Sequence, residues 1–180
     1  MPQPLDQIAH EVAKRLQQTS MKIVFAESCT GGLVSATLAR VPGISNHLCG
    51  SAVVYRLETK TRWLGVPESM LATNGPVSEP VAKAMAEGVL NVTPEANLSA
   101  SITGHLGPDA PESQDGLLFV GVAVRDKKPR TMSCQLKKFE DGTELDLFPG
   151  QNPRERRQWA AVEFLLAQVV EVLQSESIDH

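Results

Sequence analysis

The sequence predicts an α/β fold, a three-layer α/β/α sandwich around a mixed β-sheet, on three observations. Short apolar runs of strand length alternate with stretches of helical periodicity along the first half of the chain. Residues 117–124 and 131–139 flank a polar turn at Asp126–Pro129, the pattern of two strands joined as a hairpin. A long helical segment closes the chain behind a start signal at Asn152.

Taken in order, Leu5, Ile8, Ala9, Val12, Ala13 and Leu16 recur at helical spacing, with Asp6, Glu11, Lys14 and Arg15 on the other faces, so the chain opens with an amphipathic helix. Met21–Ala26 is an apolar run too short for a helix and reads as a buried strand that stops at Glu27. Gly31 and Gly32 lead into a helix over Leu33–Ala39, terminated near Pro42 and Gly43. Leu48–Tyr55 holds a second strand, and Glu58–Leu64 a helix that breaks at Gly65, Val66 and Pro67. A Ser78 cap before Glu79 and Pro80 starts another helix, which runs to about Val89. Leu98–Ile102 is a third strand, ending in T-G-H-L-G-P. Asn152, Pro153 and Glu155 supply a cap, a first-turn proline and an acid ahead of Trp159, Val162, Leu165, Leu166, Val169 and Leu173. What remains is a polar loop at Asp109–Asp115 and a short polar tail after about residue 174.

The length of 180 residues, 42% of them apolar, suits a single domain over residues 1–180 with one core. A formal charge of −4 gives no electrostatic reason to expect nucleic acid or an anionic membrane as partner, so a small-molecule substrate is the expectation. The first twenty residues lack the apolar core of a signal peptide, and the expected location is the cytoplasm. Cys29, Cys49 and Cys134 form no C-x-x-C pair, and His10, His47, His105 and His180 show no metal-ligand spacing, so neither a metal nor another cofactor is expected.

The chemistry concentrates in Glu27-Ser28-Cys29-Thr30-Gly31-Gly32, where a buried strand delivers its end to a helix N-terminus. A nucleophile held there has backbone amides beside it to stabilise an oxyanion, at about 3 kcal/mol per donor. Spacing alone leaves a plainer alternative equally open, that Ser28 or Thr30 only caps the helix. The phosphate-loop patterns G-x-x-x-x-G-K-[ST] and G-x-G-x-x-G are both absent. Cys29 is a rival nucleophile, but no histidine lies near it in sequence to take its proton. A lone lysine such as Lys60 is ordinarily a solvated surface charge. What selects it is that a serine hydroxyl needs a proton acceptor, and a desolvated lysine is a recurring one. Thr103, Gly104 and His105 lie at another strand end that can face the same crevice; His105 in such a place is usually a hydrogen-bonded loop residue, a catalytic role being the sharper alternative.

A-E-S-C-T-G-G-L-V-S at 26–35, V-P-G-I-S at 41–45, Y-x-x-E-x-K at 55–60, L-G-V-P at 64–67, G-P-V-S-E at 75–79 and I-T-G-x-x-G-P at 102–108 together resemble the CinA C-terminal domain family. The resemblance implies a nicotinamide mononucleotide deamidase needing no cofactor, in which Ser28 is the nucleophile and Lys60 its base. It also implies that Tyr55, Thr103 and Gly104 line the pocket with Glu27, Cys29 and His105 nearby, that Thr30, Gly31 and Gly32 offer backbone donors, and that the protein is a homodimer or larger. The family block Y-S-N-E-A-K has Arg56 and Leu57 here, and I-T-G-I-A-G-P has become I-T-G-H-L-G-P. The G-D-R-E-x-x-R stretch survives only as G-Q-N-P-R-E-R-R, in which Arg154 matches a phosphate-binding arginine. These departures keep a second expectation open: a silent or retargeted relative that binds a nucleotide or another small ligand. A third, a partner-binding module for DNA uptake or repair, rests on the family name alone, and the acidic charge argues against direct DNA contact.

Overall fold

The computed structural model describes residues 3–136 and 152–176. The elements run α1 (Gln3–Thr19), β1 (Ile23–Glu27), α2 (Leu33–Leu38), β2 (Leu48–Val53), α3 (Leu57–Leu64), α4 (Glu68–Asn74), α5 (Glu79–Asn91), β3 (Leu98–Gly104), β4 (Leu117–Val124), β5 (Arg130–Gln135) and α6 (Pro153–Glu176). The strand order is β2-β1-β3-β4-β5. β1 pairs in parallel with both β2 and β3, whereas β3-β4 and β4-β5 are antiparallel, which makes the sheet mixed as expected. The three parallel strands all deliver their C-terminal ends to one edge of the sheet, where open α/β sheets bind ligands.

β1 is buried along its whole length, and its alternate residues feed two cores. Ile23 and Phe25 join Leu5, Leu16, Leu38 and Leu165 under α1, α2 and α6. Val24 and Ala26 face the other way, with Leu64, Leu71, Val81 and Met85 under α3, α4 and α5. Two helical layers therefore cover the sheet, which is the α/β/α sandwich the sequence predicts.

On the second face, α5 comes very close to its neighbours. Ser99 and Ser101 of β3 donate their hydroxyls to the carbonyls of Ala86 and Ala82, at 2.7 and 2.5 Å. A Cβ built on Gly88 would lie 2.1 Å from the Leu64 carbonyl oxygen, backbone that cannot yield. Gly88→Ala is therefore expected to cost about 2–3 kcal/mol, despite the better helix propensity of alanine, and to show as a fall of several degrees in Tm.

The differences from the sequence reading are local. The short helix α4 went unpredicted, β1 extends one residue to include Glu27, and α6 continues to Glu176, past the expected start of the tail. The Asp109–Asp115 loop contains one 3-10 turn, Glu112–Gln114. Of the expected strand over 131–139, residues 137–139 lie outside the described residues, as do Gly150 and Gln151 of the arginine stretch. No helix among the described residues is long and apolar enough to cross a membrane.

Candidate active site

Ser28 follows directly on β1, and its amide continues the β3 ladder by donating to the Ile102 carbonyl at 3.0 Å. The turn that follows needs two left-handed residues, supplied by Gly31 at φ 62° and Gly32 at φ 101°. Beneath it lies Glu27, fully buried. Its Oε2 accepts from the Thr30 hydroxyl at 2.8 Å and from the Gly32 and Val34 amides at 3.0 Å each, and its Oε1 from the Ser35 amide at 3.0 Å and the Ser51 hydroxyl at 2.9 Å. Glu27 is thus the residue that caps α2, satisfying amides the first turn leaves unpaired. Neither Ser28 nor Thr30 caps it, which removes the plainer alternative for both.

Three expected pocket residues, Glu27, Gly31 and Gly32, are corrected by this arrangement. Glu27 and the Thr30 hydroxyl are spent on each other and on the turn, so neither side chain lines the cleft. The Gly31 amide donates to the Ser28 carbonyl and the Gly32 amide to Glu27, so neither is free to meet an oxyanion. Among the described residues, the Cys29 and Thr30 amides have no carbonyl or carboxylate acceptor, and these are the donors the turn leaves available.

Lys60 comes from α3, which the chain reaches after β2, the parallel neighbour of β1. It is 1% exposed, and its Nζ donates to Ser28 Oγ at 2.9 Å and to the Val54 carbonyl at 2.6 Å. Burial strips water from the ammonium and pulls the pKa down from 10.5 to about 8, with no carboxylate beside it to hold the charge. Cys29 behaves oppositely: burial pushes its thiol up to about 12, so it stays protonated and is a poor rival nucleophile.

A cleft of about 820 Å3 opens over Ser28 and Lys60, and Cys29, Tyr55, Thr103, Gly104, His105 and Arg154 all line it. Thr103 is anchored by its hydroxyl to the Pro76 carbonyl at 2.8 Å. Gly104 is required where it stands, since a Cβ there would sit 2.8 Å from Leu118 Cβ and 3.3 Å from Cys29 Sγ. His105 is held by its backbone alone, donating to Leu117 and accepting from Gly116. Arg154, from the first turn of α6, donates to the Gly107 carbonyl at 2.6 Å and to the Tyr55 hydroxyl at 2.8 Å.

Two further residues that the sequence did not single out shape the site. Arg157 is buried and grips Asp115 at 2.6 Å, fastening the loop that carries His105 and Gly107. Gln158 donates to the Cys29 carbonyl at 3.0 Å and fastens the turn that follows Ser28. Position on the exposed-looking start of an amphipathic helix offered no signal for either. Among the described residues, no group of three or more His, Cys, Asp or Glu side chains gathers in a way that could hold a metal ion.

The profile of the CinA C-terminal domain matches residues 5–144. A CinA-like protein of Synechococcus sp. is 46% identical over 117 residues, covering 64% of this chain and 27% of that protein. A CinA-like protein of Geobacter metallireducens is 40% identical over 114 residues, covering 62% of this chain and 27% of that protein. The chain therefore spans under three tenths of the curated relatives it matches. Among solved structures, the competence/damage inducible protein CihA of Agrobacterium tumefaciens superposes with a TM-score of 0.83 at 25% identity, over 97% of this chain and 98% of that one. A CinA superfamily protein of Klebsiella pneumoniae shares the fold at a TM-score of 0.82 and 24% identity, over 95% and 98% of the two chains. With the profile running from the first helix through the Ser28 turn and the Lys60 block, this chain belongs to the CinA C-terminal domain family.

Proposed function

We propose that the protein is an amidohydrolase that converts nicotinamide mononucleotide to nicotinic acid mononucleotide and ammonia. The observation that carries the reading is the 2.9 Å contact between Ser28 Oγ and a lysine amine that burial has brought near neutrality. In its neutral form Lys60 takes the hydroxyl proton as Oγ bonds to the carboxamide carbon, and the Cys29 and Thr30 amides meet the resulting oxyanion. Lys60 returns that proton to the amide nitrogen, the C–N bond breaks, and ammonia leaves an ester on Ser28. A water deprotonated by Lys60 then attacks the ester, releasing the acid and restoring the hydroxyl. Arg154 stands on the cleft wall for the phosphate.

The test is ammonia release from nicotinamide mononucleotide by the purified chain, followed against pH. Because the working form is the neutral amine, kcat/KM is expected to rise about tenfold per pH unit below the Lys60 pKa and to level off near pH 8. A profile flat from pH 6 to 9 would exclude Lys60 as the base.

A second reading, a ligand-binding relative without turnover, draws on Leu57 and His105 in the cleft and on an Arg154 whose donors already have protein partners. Binding of the mononucleotide without ammonia would favour it. The proposal includes a cytoplasmic protein acting as a homodimer or larger, supported by the exposed Val53, Tyr55, Leu57 and Trp63 beside the edge strand β2. Light scattering is expected to give a mass at least double the 19.5 kDa of one chain.

A further inference from the structure

Two guanidinium groups line the cleft, and the reading above uses only one. Arg56 sits at the N-cap position of α3, next to Tyr55, exposed on the cleft wall. Its carbonyl accepts from the Lys60 amide and the Thr59 hydroxyl, but among the described residues its guanidinium makes no hydrogen bond or ion pair. Arg154 is bound only to neutral groups, the Gly107 carbonyl and the Tyr55 hydroxyl, so no carboxylate offsets its charge either. The cleft has two carboxylates of its own. Glu58 is held by Arg62 at 3.0 Å, one helical turn away, which leaves Asp109 as the sole unengaged acid against both guanidiniums.

A guanidinium facing a ligand space without a carboxylate is a receptor for phosphate, because its fork matches two phosphate oxygens. One phosphate needs one such fork. Here there are two, and both line the same cleft. The space agrees, since about 820 Å3 is in the upper part of the roughly 300–1,000 Å3 that small-molecule sites occupy.

We infer that the cleft is built for a carboxamide whose far end carries a diphosphate, as in a pyridine dinucleotide, with Arg154 holding one phosphate and Arg56 the other. Asp109 is left as an acceptor for ribose hydroxyls, the partner a carboxylate ordinarily meets in nucleotide sites. This keeps the amidohydrolase chemistry proposed above, on which it depends for the carboxamide alone, and changes the preferred substrate from the mononucleotide to a dinucleotide; the preference for two phosphates stands on the two arginines.

The test is calorimetric titration of the Ser28→Ala chain with oxidised nicotinamide adenine dinucleotide and, in parallel, with nicotinamide mononucleotide. The dinucleotide is expected to bind at least about tenfold more tightly. Arg56→Gln should weaken the dinucleotide about tenfold more than the mononucleotide, and Arg154→Gln should weaken both. Equal affinities, an Arg56→Gln loss shared equally by the two ligands, or no dinucleotide binding would overturn the inference. Ammonia release by the unmodified chain is scored separately. Its absence with both ligands defeats the amidohydrolase reading without touching the binding comparison, and its presence cannot rescue a missing preference.

Discussion

Lys60→Met is expected to abolish ammonia release while making the protein more stable. As the proposed base, hydrogen-bonded to Ser28 Oγ at 2.9 Å, Lys60 should account for at least about 10³-fold in kcat. Ser28→Ala should remove turnover to the same floor, and the double variant should lose no more than either single one, because two groups acting in one step do not add. The stability gain comes from the same burial that makes the amine a base. A folded-state pKa near 8 against 10.5 means that holding the ammonium inside costs up to about 3 kcal/mol at neutral pH. Methionine removes that cost but strands the Val54 carbonyl, at about 1–2 kcal/mol, so a net gain of about 1–2 kcal/mol remains. The pH dependence fixes the sign. Between pH 8 and 10.5 the unfolded chain holds a proton that the folded chain has released, so the unmodified protein gains stability as pH rises through that window. Lys60→Met has no such group, and its Tm advantage should be full below pH 8 and shrink towards pH 10.5. An advantage that stays constant across the window would mean that Lys60 is not desolvated in the folded state.

Glu27→Ala should have the largest effect on folding of any single change at the site. It leaves five donors without their acceptor, three of them backbone amides at the start of α2. At about 1–3 kcal/mol for each buried donor left unpaired, the loss reaches at least about 5 kcal/mol. That is comparable with the whole stability of an ordinary domain, about 5–15 kcal/mol, so the variant is expected to be recovered unfolded or aggregated. Glu27→Gln keeps the shape and one acceptor oxygen, and should fold with a Tm lower by several degrees. Circular dichroism melts of the two variants, with ammonia release by the glutamine variant, check this. A Glu27→Ala chain with an unaltered melt would show that the carboxylate is dispensable to the turn.

These two residues also mark where the sequence was legible and where it was not. Strands such as β1 and β3 and helices such as α1 and α6 carry their own periodicity, and their placement follows from which side chains must leave water. α4 does not: seven residues between a proline and a glycine show too little pattern to rise above a loop. Glu27 is harder still. A charge at the end of a strand beside a glycine turn looks like a ligand contact, whereas the turn folds back over it and takes both oxygens, a cap that reaches five to eight residues ahead rather than the usual two or three. Lys60 was reached through chemical need, since nothing in Y-R-L-E-T-K foretells burial; that comes from α3 packing against α5, with the amine turned back to the Val54 carbonyl just after β2. Arg157 and Gln158 had no signal at all, because their partners lie 42 and 129 residues away.

The grip of Gln158 on the Cys29 carbonyl ties the turn that carries Ser28 to a side chain 129 residues further along. A polypeptide emerging from the ribosome can lay down β1, the glycine turn and even the Lys60 helix long before α6 exists to clamp them. Until α6 has been made, the Ser28 hydroxyl sits on a turn with one anchor missing. A fragment ending between α5 and α6 should therefore carry Ser28 and Lys60 on a turn without its clamp, and is expected to release no ammonia from nicotinamide mononucleotide.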